Sequence, residues 1–248
     1  MAEILLKDGE RINQLFSTDV KIIQNREVFS YSVDSVLLSR FPNLPKRGLI
    51  VDLCAGNGAV GLFASTRTQA QIIAVEIQER LADMAQRSIE LNNLTSQMQV
   101  IQDDLKYLTR YISGSKVDMI LCNPPYFKVD EHSNLNASRH YLLARHEIAT
   151  NLEEICQISQ QVLKSNGRLT MVHRPERFLD IIETMTAHNL APKRIQFVYP
   201  KTNRKANMLL IEAIKDGSRD GLKILPPLFI HNQDGSYTPE IHEIYYGK

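Results

Sequence analysis

This chain lacks a charge excess, a cysteine framework and any long apolar run, and each absence excludes something. Its 29 basic and 28 acidic side chains leave a net charge of +1, so attraction to nucleic acid has to come from local patches. Cys54, Cys122 and Cys156 are odd in number, widely spaced and without ligand-like neighbours. That pattern fits neither a disulfide framework nor a zinc site and suits the cytoplasm. The seven histidines show no metal-binding spacing, and no metal is expected. No apolar stretch approaches the roughly 18 residues of a membrane span. The opening Met1–Asp8 segment turns acidic too early for a signal peptide. Low-complexity sequence is absent too, and 248 residues with 43% hydrophobic content can build one α/β domain or two small ones.

What is present alternates. Residues 1–47 give a turn at Asp8–Gly9, a short strand at Val20–Gln24 and a short helix ending near Phe41, capped by Ser32 or Asp34. Too small to bury a core of its own, this extension is expected to pack on residues 48–248. From Gly48 on, strands are expected at Leu49–Leu53, Ile72–Glu76, Gln97–Ile101, Val117–Cys122 and Arg168–His173. Helices are expected at 59–67, at 79–92, up to Ile112, at 152–163 with a stop at Asn166–Gly167, and from Pro175. Two last strands, about Arg194–Tyr199 and Met208–Ala213, are joined by a short polar connection and read as antiparallel. Strands alternating with helices predict a mostly parallel sheet covered on both faces. The tail from Leu222 reads as an ordered extension without its own core.

The polar oddities fall at the carboxyl ends of the expected strands, where ligands bind in such sheets. Asp52–Gly58 closes the first strand with Gly56 and Gly58. Glu76 ends the second, Asp103 and Asp104 the third, and Asn123 the fourth. Singly each is weak, and Asp104 alone reads better as a helix cap than as a ligand. After Asn123 come Pro124, Pro125, Tyr126 and Phe127. Neither proline can donate to a sheet ladder, so the strand must stop, and Asn123 is held extended before a rigid turn. An amide, a fixed carbonyl and an aromatic face suit an amino group on a planar ring; a Pro-Pro turn whose aromatics cap a core is the competing reading. The glycine loop lacks the fuller G-x-G-x-x-G of a dinucleotide site. Asp52 would repel a pyrophosphate but attract an amino acid or sulfonium cation.

Asp52–Gly58, Glu76, Asp104 and Asn123–Tyr126 resemble the ordered motifs of class I S-adenosylmethionine (SAM)-dependent methyltransferases of the N6-adenine type. Leu5–Ile12, Phe29–Leu38, Ala144–Glu147, His173–Arg177 and the tail from Pro226 to Thr238 extend the similarity. They resemble the bacterial family that methylates N6 of adenine 37 in tRNA1(Val). Cys54 departs from the glycine many methyltransferases carry there. The resemblance implies a Rossmann-like seven-stranded, mostly parallel sheet with an antiparallel last strand. It implies SAM as cofactor, held by Tyr31, Asp34, Asp52, Gly56, Gly58, Glu76, Asp104 and Asn123. Asn123, Pro124 and Tyr126 would be catalytic, with Pro125 and Phe127 beside the acceptor base.

Contacts to RNA, expected to be a tRNA anticodon loop, must come from local charge. The candidates are Arg139, His140, Arg145 and His146 beyond the fourth strand, and Lys201, Arg204 and Lys205 between the last two strands. For each residue singly, a solvated loop is the plainer reading. A monomer or weak homo-oligomer is expected. Other acceptors of the same chemistry are a protein glutamine amide, a cytosine N4 amine or a guanine N2 amine. A non-catalytic module that binds SAM and RNA is the alternative outside enzymes. Strand order of the methyltransferase type would also make neighbours of the strands ending at Cys54 and Cys122.

Overall fold

The computed structural model describes residues 6–15, 18–25, 32–125 and 151–246. Seven long strands form its central sheet in the order β5–β4–β3–β6–β7–β9–β8. They are β3 (Leu49–Leu53), β4 (Gln71–Glu76), β5 (Met98–Gln102), β6 (Val117–Cys122), β7 (Leu163–His173), β8 (Leu190–Tyr199) and β9 (Met208–Lys215). All pairings from β5 through β7 are parallel, and β9 is antiparallel to both of its neighbours. The tail adds two short strands, β10 (Lys223–Ile224) and β11 (Leu228–Phe229), both parallel to β8. They bring the sheet to nine strands rather than seven and cover a β8 edge that would otherwise stand open for pairing.

Helices cover both faces because side chains of a parallel strand alternate between two buried layers. Ile50, Met119 and Leu121 pack with α1 (Val33–Arg40) and α2 (Ala59–Ser65), joined by Ile89 of α3 (Glu79–Leu91) and by Ile241 and Tyr245 of α6 (Pro239–Tyr246). Val51, Leu53 and Ile120 face α4 (Leu152–Val162), α5 (Phe178–Ala187) and the 3-10 helix Leu105–Arg110. On α3 the buried set Leu81, Ala82, Met84, Ala85, Ser88 and Ile89 makes one stripe, as the spacing predicts. Strand order reverses between β3 and β6, so the switch point of the sheet lies where their carboxyl ends meet.

Two local expectations need correction. The fifth helix-to-strand boundary is not at Asn166–Gly167: α4 ends at Val162, and Leu163, fully buried, is already extended and pairs with Val117. Pairing then jumps to Met119 with Arg168, so residues 164–167 form a bulge, with Asn166 left-handed at φ 64°. The Lys215 ammonium, donating to the Leu163 carbonyl at 2.8 Å, helps fix this corner. The N-terminal segment also holds a strand that its sequence does not signal. β1 (Glu10–Gln14), with a single apolar side chain, pairs antiparallel with β2 (Lys21–Asn25).

That hairpin is fastened to α3 by charge as well as by apolar contact. Arg87 donates to both oxygens of Glu10, at 2.7 and 2.6 Å, and to Asp83 at 2.7 Å. Asp83 also meets Lys7 at 2.9 Å. Ile23 packs on Leu81 and Met84, and its amide donates to Ser88 Oγ. A two-pronged guanidinium–carboxylate pair with Glu10 almost fully covered loses both partners' hydrogen bonds when one is cut. Arg87→Ala is expected to destabilise the protein by about 1.5–3 kcal/mol in urea denaturation. A loss within a few tenths would mean that the apolar contacts alone hold the hairpin.

Candidate active site

The sheet register brings the four polar strand ends to one level. Leu53 pairs with Val75 on one side and Cys122 on the other, while Glu76 pairs with Gln102. Cys54, Glu76 and Asn123 therefore leave the same edge side by side, and with strands about 4.8 Å apart Glu76 and Asn123 are separated by roughly 10 Å.

The loop after β3 is pinned from four directions. Glu76 Oε2 accepts the Gly56 N–H at 2.7 Å, and its Oε1 accepts the Gln78 N–H at 2.9 Å. Ala55 N–H reaches the Val75 carbonyl at 3.1 Å. Asn57 is fully buried and donates to the Ile23 carbonyl of the N-terminal hairpin at 3.0 Å. Gly58 is left-handed at φ 83°, and a Cβ there would sit 3.1 Å from the Ala85 Cβ, so both conformation and space require glycine.

Asp52 faces inward. It shares the Ile50 side of β3, and its Oδ2 accepts the Gly61 N–H of α2 at 2.9 Å. Its Oδ1 and the Asn57 Oδ1 are buried without a hydrogen-bond partner among the described residues. Burial pushes the Asp52 carboxyl up to about 7, against the Gly61 hydrogen bond and with help from the Glu76 charge. Burial raises Glu76 as well. Among the described residues neither carboxylate has an ion-pair partner. Two buried acids and an orphaned acceptor suit a cationic ligand and repel a phosphate.

Asn123 is half-buried at the end of β6, with Pro124 buried and Pro125 half-buried behind it. Its Nδ2 lies 3.5 Å from the Ser35 hydroxyl of α1, a residue that sequence reasoning passed over; Asp34 sits beside it in the first turn of the same helix. Ile77, directly after Glu76, was also passed over: it is a large apolar side chain left 42% exposed at a strand end. Asp104 behaves as the cap its position suggests, accepting the Lys106 N–H at 3.1 Å and pairing with its ammonium at 2.7 Å. Cys54 and Cys122 are neighbours, close enough for their thiols to share a hydrogen bond. Burial first and then that contact push Cys122 well above the ordinary thiol range. Cys54 is left-handed at φ 58°, a conformation that costs glycine nothing. Lys201, Arg204 and Lys205 lie between β8 and β9, at the same sheet edge, because Leu209 of β9 pairs with His173 at the carboxyl end of β7. Tyr31, Tyr126, Phe127, Arg139, His140, Arg145 and His146 lie outside the described residues. Among the described residues no group of three or more His, Cys, Asp or Glu side chains could hold a metal, and no helix is long and apolar enough to cross a membrane.

A doubly wound sheet in this order, with a glycine loop and an acidic second strand end at its switch point, defines the class I methyltransferase fold. A predicted O-methyltransferase from Agrobacterium tumefaciens shares it with a TM-score of 0.69 at 23% identity, over 87% of this chain and 96% of that one. The chain belongs to the methyltransferase small domain family, whose model matches residues 19–189. Among its relatives is a tRNA1(Val) (adenine(37)-N6)-methyltransferase of Shewanella sp. (strain MR-7), 26% identical over 86% of this chain and 89% of the relative. Another, of the same name, is from Porphyromonas gingivalis, 26% identical over 84% of this chain and 83% of its own.

Because the folded protein holds a proton on Asp52 up to about pH 7 and the unfolded chain releases it near 3.8, stability falls as pH rises between those values. Glu76 adds a contribution of the same sign. Asp52→Asn keeps an acceptor for Gly61 but has no proton to lose. The variant should lose less stability than the wild type between about pH 4 and pH 7, by up to a few kcal/mol in urea denaturation. Identical slopes for the two proteins would place Asp52 in a solvated site.

Proposed function

We propose that this methyltransferase transfers a methyl group from SAM to N6 of adenine 37 in tRNA1(Val), in the cytoplasm. The observation that carries the reading is Asn123, set at the sheet's switch point level with the glycine loop and Glu76. The names of the relatives support the particular base and RNA. Residues 1–47 act as an extension of a catalytic domain spanning 48–248.

Bound SAM supplies an electrophilic methyl group. The loop from Cys54 to Gly58 would hold its amino acid part, with the buried carboxyl of Asp52 behind it, ionising as the cation arrives, and Glu76 its ribose hydroxyls. At least two of the roughly four lone-pair positions of Glu76 already hold backbone N–H groups, so the side chain is pre-aimed. Ile77 would offer an apolar surface to the cofactor's adenine ring, and Asp104, Asp34 and Tyr31 would be further cofactor contacts.

The N6 amine of adenine is a poor nucleophile because its lone pair is delocalised into the ring. Asn123 Oδ1 and the Pro124 carbonyl would each accept one of its N–H bonds, drawing the nitrogen toward tetrahedral geometry and freeing the lone pair. That is positioning and electrostatic stabilisation, and it needs no strong base. Once methylated, the nitrogen loses its proton to water or a weak acceptor. Tyr126, with Phe127 and Pro125, would stack on a base turned out of its loop, worth about 1–3 kcal/mol per stacked base. Arg139, Arg145 and the loop that carries Lys201, with its Arg204 and Lys205 side chains foremost, would meet the phosphate backbone.

Asn123→Ala is expected to lower the single-turnover methylation rate at saturating tRNA by at least ~100-fold while leaving cofactor affinity nearly unchanged. A normal chemical rate would reduce Asn123 to part of a turn and move the acceptor site elsewhere.

Glu76→Ala should weaken SAM binding by about 1.5–3 kcal/mol in calorimetry, the value of a hydrogen bond to a charged acceptor. Unchanged affinity would take Glu76 out of the cofactor site, and tight binding of NAD instead would overturn the reaction class.

A further inference from the structure

The connection between β8 and β9 is longer and better held than a turn requires. Two antiparallel neighbours can be joined by 2–5 residues, whereas residues 200–207 number eight and none is buried. A solvated loop of that length is normally free to move, yet this one is fixed on both flanks. On one flank Arg174 Nη1 donates to the Asn207 carbonyl at 2.9 Å. On the other flank the C-terminal tail grips it. Ile230 and His231 donate their N–H groups to the Tyr199 and Pro200 carbonyls at 2.9 and 3.0 Å. Gln233 Nε2 donates to Asn203 Oδ1 at 2.9 Å and to Thr202 Oγ1. The Lys201 ammonium donates back to the Gln233 carbonyl at 3.2 Å. The gripping turn is itself stiffened by stacking of His231 on Tyr237, centroids 5.1 Å apart, and by Asp234 accepting from Ser236.

We infer that the tail segment 230–237 and the 200–207 loop form one preorganised RNA-backbone-binding surface beside the active site, with Gln233 as its positioning residue. Within it the three basic residues divide their work. Lys201 is spent inside the lobe, on the Gln233 carbonyl and in the field of Asp234. Arg204 and Lys205 are exposed, have no ion-pair partner among the described residues, and project from the stretch that Gln233 holds. A charge on a loop already ordered meets a phosphate without the entropy cost of ordering it at that moment. The lobe lies at the sheet edge where Asn123 ends β6, so an RNA seated on it has its backbone beside the acceptor site.

The inference rests on the RNA reading above, and the test separates the two. Binding of a fluorescent unmodified tRNA1(Val) transcript is measured by anisotropy across a salt series for four proteins: wild type, Gln233→Ala, Arg204→Ala/Lys205→Ala, and the three changes combined. The Arg204/Lys205 variant should bind at least ~10-fold more weakly, with the slope of log affinity against log salt flattened by about 1.5, the counterion release of two phosphate contacts. Gln233→Ala, which removes no charge, should bind ~3–10-fold more weakly, while the combined variant is no weaker than the Arg204/Lys205 variant, because coupled residues do not add. S-adenosylhomocysteine affinity should be equal in all four. Wild-type affinity and slope in the Arg204/Lys205 variant, or a Gln233 effect that adds in full, overturns the inference, as does loss of cofactor affinity on Gln233→Ala. A wild-type protein that does not bind the transcript defeats the RNA reading itself, and this inference with it.

Discussion

One carboxylate, that of Glu76, holds the end of β4 and the loop after β3 in a single arrangement. It takes the Gly56 and Gln78 N–H groups at 2.7 and 2.9 Å in a setting almost closed to water. Burial of a charge is costly unless it is hydrogen-bonded, and these bonds offset that cost while tying a flexible glycine turn to a rigid strand. Because β4, β3 and β6 are in level register, fixing Glu76 against Gly56 also fixes the loop relative to Asn123. The hairpin at the N-terminus completes the arrangement through Asn57 and Ile23.

Much of this was readable from the chain. β3, β4 and β6 are apolar runs bounded by glycine, acid or proline, and such runs are hard to read as anything but buried strands. The switch-point position of Asp52, Glu76 and Asn123 followed from strand order. What escaped the sequence depended on contacts between distant segments. β1 is polar and exists only because β2 and Arg87 hold it. Asn166–Gly167 served equally well as a helix stop and as a bulge, and the pairing of Leu163 with Val117 decides between them. Asp52 is a different case, since its inward direction was available from the two-residue period shared with Ile50. Ser35 beside Asn123 had no local signal at all, because α1 is joined to β6 only through the fold.

The near-neutral net charge conceals a separation at one edge of the sheet. Its centre holds two buried acids with no ion-pair partner among the described residues, and its flank carries exposed Arg204 and Lys205. A cationic cofactor can therefore approach the centre of this edge without meeting the positive charge on its flank. Screening over about 8–10 Å of salt solution helps keep the two regions electrostatically distinct.

The reversed direction of β9 has a structural corollary. Had it run parallel to β7 and β8, the chain would have needed a crossover returning beneath the sheet, and the residues before β9 would have emerged at the opposite edge. Antiparallel β9 instead makes the β8–β9 connection a surface loop at the carboxyl edge of the parallel strands, outside both buried layers. Such a loop can lengthen, shorten or change its side chains without disturbing the core, and loop closure grows costlier only slowly with length. Changes there leave the level register of β3, β4 and β6 as it is.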